Sequence, residues 1–176
     1  MPQAIAFTRI DEALVGRALR VLDLCLAKSL RVATAESCTG GLVAAVLTEP
    51  PGASRIVERG FVTYSNSAKE SCLGVPDALL RAHGAVSEPV ARAMAEGALD
   101  ESQADVAVAI TGIAGPDGGT PQKPVGLVHF AAARRGYETV HMERRFGDIG
   151  RGGVRRGSVE QALDLIEFMA RLDDDR

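Results

Sequence analysis

Arg31-Val-Ala-Thr-Ala-Glu-Ser-Cys-Thr-Gly-Gly-Leu-Val-Ala-Ala-Val-Leu47 reads as a short strand that passes through a glycine loop into a helix. Glu49-Pro-Pro-Gly52 ends that helix, because proline has no backbone donor and glycine accepts positive φ. A second stretch, Asp105-Val-Ala-Val-Ala-Ile-Thr111, is continuously apolar, as in a strand buried on both faces. Between and around these anchors the pattern alternates. Over 8–30, Ile10, Leu14, Ala18, Val21, Leu22 and Cys25 recur at helical spacing, with Thr8 as the expected cap and Asp11 favouring the positive end.

A strand is expected at 56–64, followed by helical pieces at 67–73 and 76–83. Ser87-Glu88-Pro89 looks like the start of a helix that runs to about Asp100. A loop of Gly, Pro and Asp occupies 112–124. Strands at 125–133 and 137–145 then flank Arg134-Arg135-Gly136 as a hairpin. A glycine-rich loop at 146–153 precedes a last helix at 154–172 and an acidic tail at 173–175. Strands alternating with helices, plus one hairpin, predict an α/β protein: a single-domain three-layer α/β/α sandwich with a mixed β-sheet. The domain core is placed at about 12–170.

Composition narrows the functional classes. The 176 residues suit one domain, and 46% hydrophobic with 24% charged residues is ordinary globular composition. The formal charge of −3, from 20 Lys+Arg against 23 Asp+Glu, gives little support for nucleic-acid binding. Aromatic residues at 4% are too few for stacking platforms. The longest apolar run, 42–47, is far short of a membrane span, and residues 1–7 lack the features of a signal peptide. The expected location is therefore cytoplasmic. Cys25, Cys38 and Cys72 form no C-x-x-C pair, so reduced, buried thiols are expected. His83, His129 and His141 show no ligand spacing, and neither a metal nor a cofactor is inferred.

Four loops carry residues suited to chemistry. In Ala35-Glu-Ser-Cys-Thr-Gly-Gly41, a hydroxyl stands where helix N-terminal amides can receive an anion, and the glycines allow close approach. Ser37 and Thr39 are the candidate hydroxyls, and Thr39, Gly40 and Gly41 the candidate substrate contacts. Plain capping by Ser37 or Thr39 is the structural alternative. Thr63-Tyr-Ser-Asn-Ser-Ala-Lys69 leaves a strand and enters a helix, so Tyr64 and Lys69 reach the same sheet end. A desolvated lysine there can act as base to a serine; a solvated lysine in a first helical turn is the plainer reading. The third loop, 110–126, offers Thr111, Gly112 and Gly115 at the end of a buried strand, but matches neither a dinucleotide fingerprint nor a P-loop. In the fourth, Arg151 and Arg155 stand four apart and share a face if the last helix begins early.

Taken together, A-E-S-C-T-G-G (35–41), Y-S-N-S-A-K (64–69), A-I-T-G-I-A-G-P-D-G-G (109–119) and K-P-V-G (123–126) resemble the CinA C-terminal domain family. The resemblance covers about residues 12–170. It implies a metal-independent amidohydrolase (NMN deamidase) that converts nicotinamide mononucleotide to nicotinate mononucleotide and ammonia. By motif, Ser37 is then the nucleophile, Lys69 its base and Tyr64 a member of the same hydrogen-bond relay. Thr111 and the 112–119 loop bound the pocket, and Arg151 or Arg155 binds the 5′-phosphate. The implied partner is a small pyridine nucleotide, not a nucleic acid or a membrane. A homodimer or higher homo-oligomer is the base expectation. Many family members carry an N-terminal molybdopterin-binding-like domain, so the chain reads as a stand-alone form. Two rival readings are a cysteine enzyme using Cys38 and a non-catalytic nucleotide sensor.

Overall fold

The computed structural model describes residues 8–172, so the signal-peptide reading of 1–7 and the acidic tail at 173–175 lie outside the described residues. The chain opens with α1 (Glu12–Ala27), β1 (Val32–Glu36) and α2 (Leu42–Thr48). A short 3-10 turn (Ala53–Arg55) leads into β2 (Val57–Val62), followed by α3 (Asn66–Leu73), α4 (Asp77–His83) and α5 (Glu88–Asp100). Then come β3 (Val106–Gly112), β4 (Leu127–Arg134), β5 (Val140–Arg145) and α6 (Gly150–Arg171). The strands form one mixed sheet in the order β2-β1-β3-β4-β5. β1 is parallel to both β2 and β3, and β4 is antiparallel to β3 and β5. Helices cover both faces, which makes the three-layer α/β/α sandwich.

The two faces differ in side-chain size, because successive strand residues point to opposite sides. Val32, Val106, Val108, Ile110, Val128 and Phe130 pack toward α1, α2 and α6. Ala33, Ala35, Ala107, Ala109, Ala131 and Ala133 pack toward α3, α4 and α5. Small residues on that face let α5 lie close to the sheet. The same helix also meets the end of α3, where a Cβ at Gly97 would stand 1.9 Å from the Leu73 carbonyl oxygen. No larger residue fits there without moving one of the helices.

The topology also decides where chemistry can gather. β1, β2 and β3 run in one direction, and β5 shares it because both β3 and β5 are antiparallel to β4. Their carboxyl ends therefore lie at one edge of the sheet. Segments 37–41, 63–69, 112–126 and 146–151 all leave from that edge, the usual place for a ligand crevice in an α/β sheet.

Several local expectations are corrected. Asp11, not Thr8, caps α1: its carboxylate accepts from the Leu14 amide at 3.0 Å and also pairs with Arg156 at 2.7 Å. The Thr8 hydroxyl donates instead to the Gly152 carbonyl. The last helix begins at Gly150, four residues before the expected Val154. Gly150, Gly152 and Gly153 read as a loop by propensity, but tertiary contacts hold this first turn: Arg151 donates to the Gly115 carbonyl and the Gly152 carbonyl accepts from Thr8. The hairpin turn is longer than expected and takes in Tyr137, whose ring lies under the Arg134 guanidinium at 4.7 Å. Cys25 and Cys38 are buried, but Cys72 is exposed on α3, whose inward residues are Lys69 and Leu73.

Candidate active site

β1 is buried along its whole length and delivers Ser37 to the sheet edge, where the Ser37 amide still bonds the Ile110 carbonyl at 2.9 Å. Ser37 is 9% exposed. Ser65 caps α3 by accepting from the Ala68 amide at 3.1 Å, which sets the phase of the first turn and turns Lys69 inward. Lys69 is only 1% exposed. Its Nζ lies 3.0 Å from Ser37 Oγ and donates to the Thr63 carbonyl at 2.8 Å. Among the described residues no carboxylate pairs with it. Burial alone disfavours the ammonium form and holds Lys69 below the ordinary lysine value.

Ser37 and Lys69 open into a cavity of about 300 Å³. Tyr64, Thr111, Gly112, Gly115 and Arg151 also line it. Thr111 turns its hydroxyl to the Ala85 carbonyl at 2.8 Å, which ties the α4–α5 connection to β3. Arg151 donates to the Gly115 carbonyl at 3.0 Å and to the Tyr64 hydroxyl at 3.1 Å. It thus joins the second, third and fourth loops. Arg155, one turn along α6, is not in the lining; it donates to the Thr39 carbonyl at 2.9 Å and braces the first loop from behind.

Other candidate residues fall elsewhere than expected. Tyr64 is 59% exposed and hydrogen-bonds Arg151, not Ser37 or Lys69. It follows the buried Thr63 but lies past the end of β2, in the connection to α3. Of the three residues expected in one relay, hydrogen bonds join Lys69 to Ser37 and Tyr64 to Arg151. Thr39 is fully buried, and Gly40 and Gly41 shape the loop at φ +59° and +93° rather than line the cavity. Neither Ser37 nor Thr39 caps α2 by a side chain.

The amides at the start of α2 are not open to an anion. The buried Glu36 carboxylate accepts from Gly41, Val43 and Ala44 at 2.9–3.0 Å. Gly40 and Leu42 donate to the Ser37 and Thr39 carbonyls. The amides of Cys38 and Thr39 bond no other described residue, and of the two residues only Cys38 borders the cavity. Sequence reasoning passed over Glu36, although a carboxylate directly before a loop and a helix start is a recognisable signal. It also missed Asn66 and Asp117, which line the cavity.

His129 and His141 do not enter this cavity. Their rings stack at 5.2 Å, with Nδ1 of one 2.9 Å from Nε2 of the other, between Glu143 and Glu88. Burial lowers the pKa of both. No group of three or more His, Cys, Asp or Glu among the described residues could hold a metal ion. No described helix is long and apolar enough to cross a membrane.

The sequence model of the CinA C-terminal domain matches residues 16–170. The chain belongs to this family. Nicotinamide-nucleotide amidohydrolase PncC of Escherichia coli is 52% identical, over 86% of this chain and 88% of that protein. A putative competence-damage inducible protein of Symbiobacterium thermophilum is 68% identical over 79% of this chain but only 34% of its own length. The chain thus spans about a third of such longer CinA relatives. Among solved structures, competence/damage inducible protein CihA of Agrobacterium tumefaciens superposes with a TM-score of 0.88 at 48% identity, covering 93% of this chain and 98% of that one.

Cys38 borders the same cavity, but burial pushes its thiol up to about 12. A thiol that stays protonated is a poor nucleophile. Cys38→Ala is accordingly expected to leave turnover unchanged, and iodoacetamide should not inactivate the native protein. Inactivation that substrate prevents would contradict this and favour the thiol.

Proposed function

We propose that the protein hydrolyses the carboxamide of nicotinamide mononucleotide to nicotinate mononucleotide and ammonia through a Ser37 nucleophile and a Lys69 base, with no metal. The observation that carries this reading is the 3.0 Å contact between Ser37 Oγ and a buried lysine amine with no carboxylate partner, in a family that includes a nicotinamide-nucleotide amidohydrolase. Neutral Lys69 accepts the Ser37 proton as Oγ adds to the amide carbon. The oxygen that gains charge is received by the Cys38 amide, whose residue borders the cavity. The C–N bond breaks, and the Lys69 ammonium returns its proton so that the nitrogen leaves as ammonia. Water then repeats the sequence on the Ser37 ester, releasing the carboxylate and restoring the serine hydroxyl.

Arg151 is the cavity's cationic wall and is assigned the 5′-phosphate; Arg155, already turned to Thr39, supports the loop. Arg151→Ala should raise KM for the mononucleotide more than tenfold while changing kcat/KM for the phosphate-free riboside far less. Equal losses on both substrates would remove the assignment.

The test is ammonia release from nicotinamide mononucleotide by EDTA-treated protein, with Ser37→Ala alongside. Release by the wild type alone supports both reaction and nucleophile. Saturable nucleotide binding without release would overturn the reading in favour of a sensor. A homodimer or higher homo-oligomer is the expected assembly, on general grounds.

A further inference from the structure

We infer that Glu36 is a positioning residue for the reaction, holding both halves of the Ser37–Lys69 pair in register. This rests on the assignment of Ser37 as nucleophile. Glu36 is fully buried, a rare place for a carboxylate unless every lone pair is used. Its oxygens accept from the Thr34 hydroxyl at 3.1 Å and from the amides of Gly41, Val43 and Ala44. These bonds close the loop 37–41 onto the end of its own strand. They fix the backbone that carries Ser37 Oγ and the Cys38 and Thr39 amides. The Glu36 main chain secures the other half. Its carbonyl accepts from the Thr63 amide at 2.8 Å, and the Thr63 carbonyl in turn accepts from Lys69 Nζ. One residue thus sits between the anchor of the base and the loop of the nucleophile. The carboxylate also occupies the start of α2, which keeps an anionic substrate group from settling there and leaves Arg151 as its partner.

The substrate's own contacts do not pass through Glu36, so its loss should misplace the reacting atoms without weakening binding. Glu36→Gln keeps the shape but sets a side-chain NH2 donor among three backbone amide donors. A misplacement of about 1 Å can cost about 10²-fold in rate. The expected result is a kcat about 10²-fold lower with KM within about threefold, in a variant with wild-type circular dichroism. The labelling rate of Ser37 by a fluorophosphonate, followed by mass spectrometry, should fall with it. Glu36→Asp, one methylene short of the amides, should not restore either quantity. Thr34→Val removes one support of the carboxylate without removing the charge, and should lower kcat and labelling in the same direction but by less. It also serves if Glu36→Gln does not fold. A merely structural role would lower the melting temperature and leave kcat and labelling of the folded variants at wild-type values, which would overturn the inference. If wild-type protein labels at Ser37 but releases no ammonia, the proposed substrate fails, and the labelling rates alone decide the role of Glu36.

Discussion

Ser37→Ala is expected to remove ammonia release from nicotinamide mononucleotide by at least ~10³-fold while leaving the fold in place. The size follows from what the hydroxyl does. It is the atom that bonds the amide carbon, so no other group at 3.0 Å from Lys69 can take its part. The fold should tolerate the change because Ser37 lends the structure little. Its amide bond to Ile110 stays, and the side chain contributes one hydrogen bond, worth about 1 kcal/mol. The melting temperature should therefore shift by only a few degrees. KM should stay near the wild-type value, because Arg151 and the 112–115 segment are untouched. Full turnover in a folded Ser37→Ala protein would end the serine mechanism.

Lys69→Ala is the second large effect, again a loss of about 10³-fold or more, and its signature is in the pH profile. Burial lowers the Lys69 pKa, so the neutral amine exists at a pH where an exposed lysine would be charged. In the wild type, kcat/KM should rise with pH through the Lys69 value, on a limb below the ordinary 10.5, and then level off. Lys69→Ala should lose that limb along with the rate. A small primary amine such as ethylamine should restore part of the activity by entering the space left behind. The same shift has a stability side. The unfolded chain binds this proton more tightly than the folded one, so stability should rise with pH up to about 10.4. Urea midpoints measured at pH 7 and pH 9.5 should differ less in Lys69→Met than in the wild type. An unchanged pH limb in Lys69→Ala would assign the base elsewhere.

Much of the fold was legible because its determinants are local or periodic. The unbroken run 106–111 reads as a strand buried on both faces, and the helical spacing of Leu14, Ala18, Val21, Leu22 and Cys25 marks the inner face of α1. The glycine-rich start of α6 was not legible, because it is held by contacts with remote segments, such as Arg151 with Gly115 and Tyr64 and Gly152 with Thr8. The hairpin turn was misread for a similar reason: the stacking of Arg134 on Tyr137 is a side-chain contact, not a turn signature.

The site divides along the same line. Residue type and motif order, which chemistry constrains directly, placed Ser37 and Lys69 in loops that could meet. Sequence could not choose between Arg151 and Arg155, four residues apart on one helix. The crossing of α6 over the sheet edge chose, turning the first toward Tyr64 and Gly115 and the second toward Thr39. Nor could sequence show that Glu36 fills the start of α2, since that depends on where its carboxylate lies relative to three amides five to eight residues away. The sequence by itself determined the α/β class, the inner faces of its elements and the identity of a serine and a lysine suited to each other. The tertiary structure alone decided that they touch, that the lysine is buried and which arginine faces the cavity, because distance and desolvation arise only when remote segments pack together.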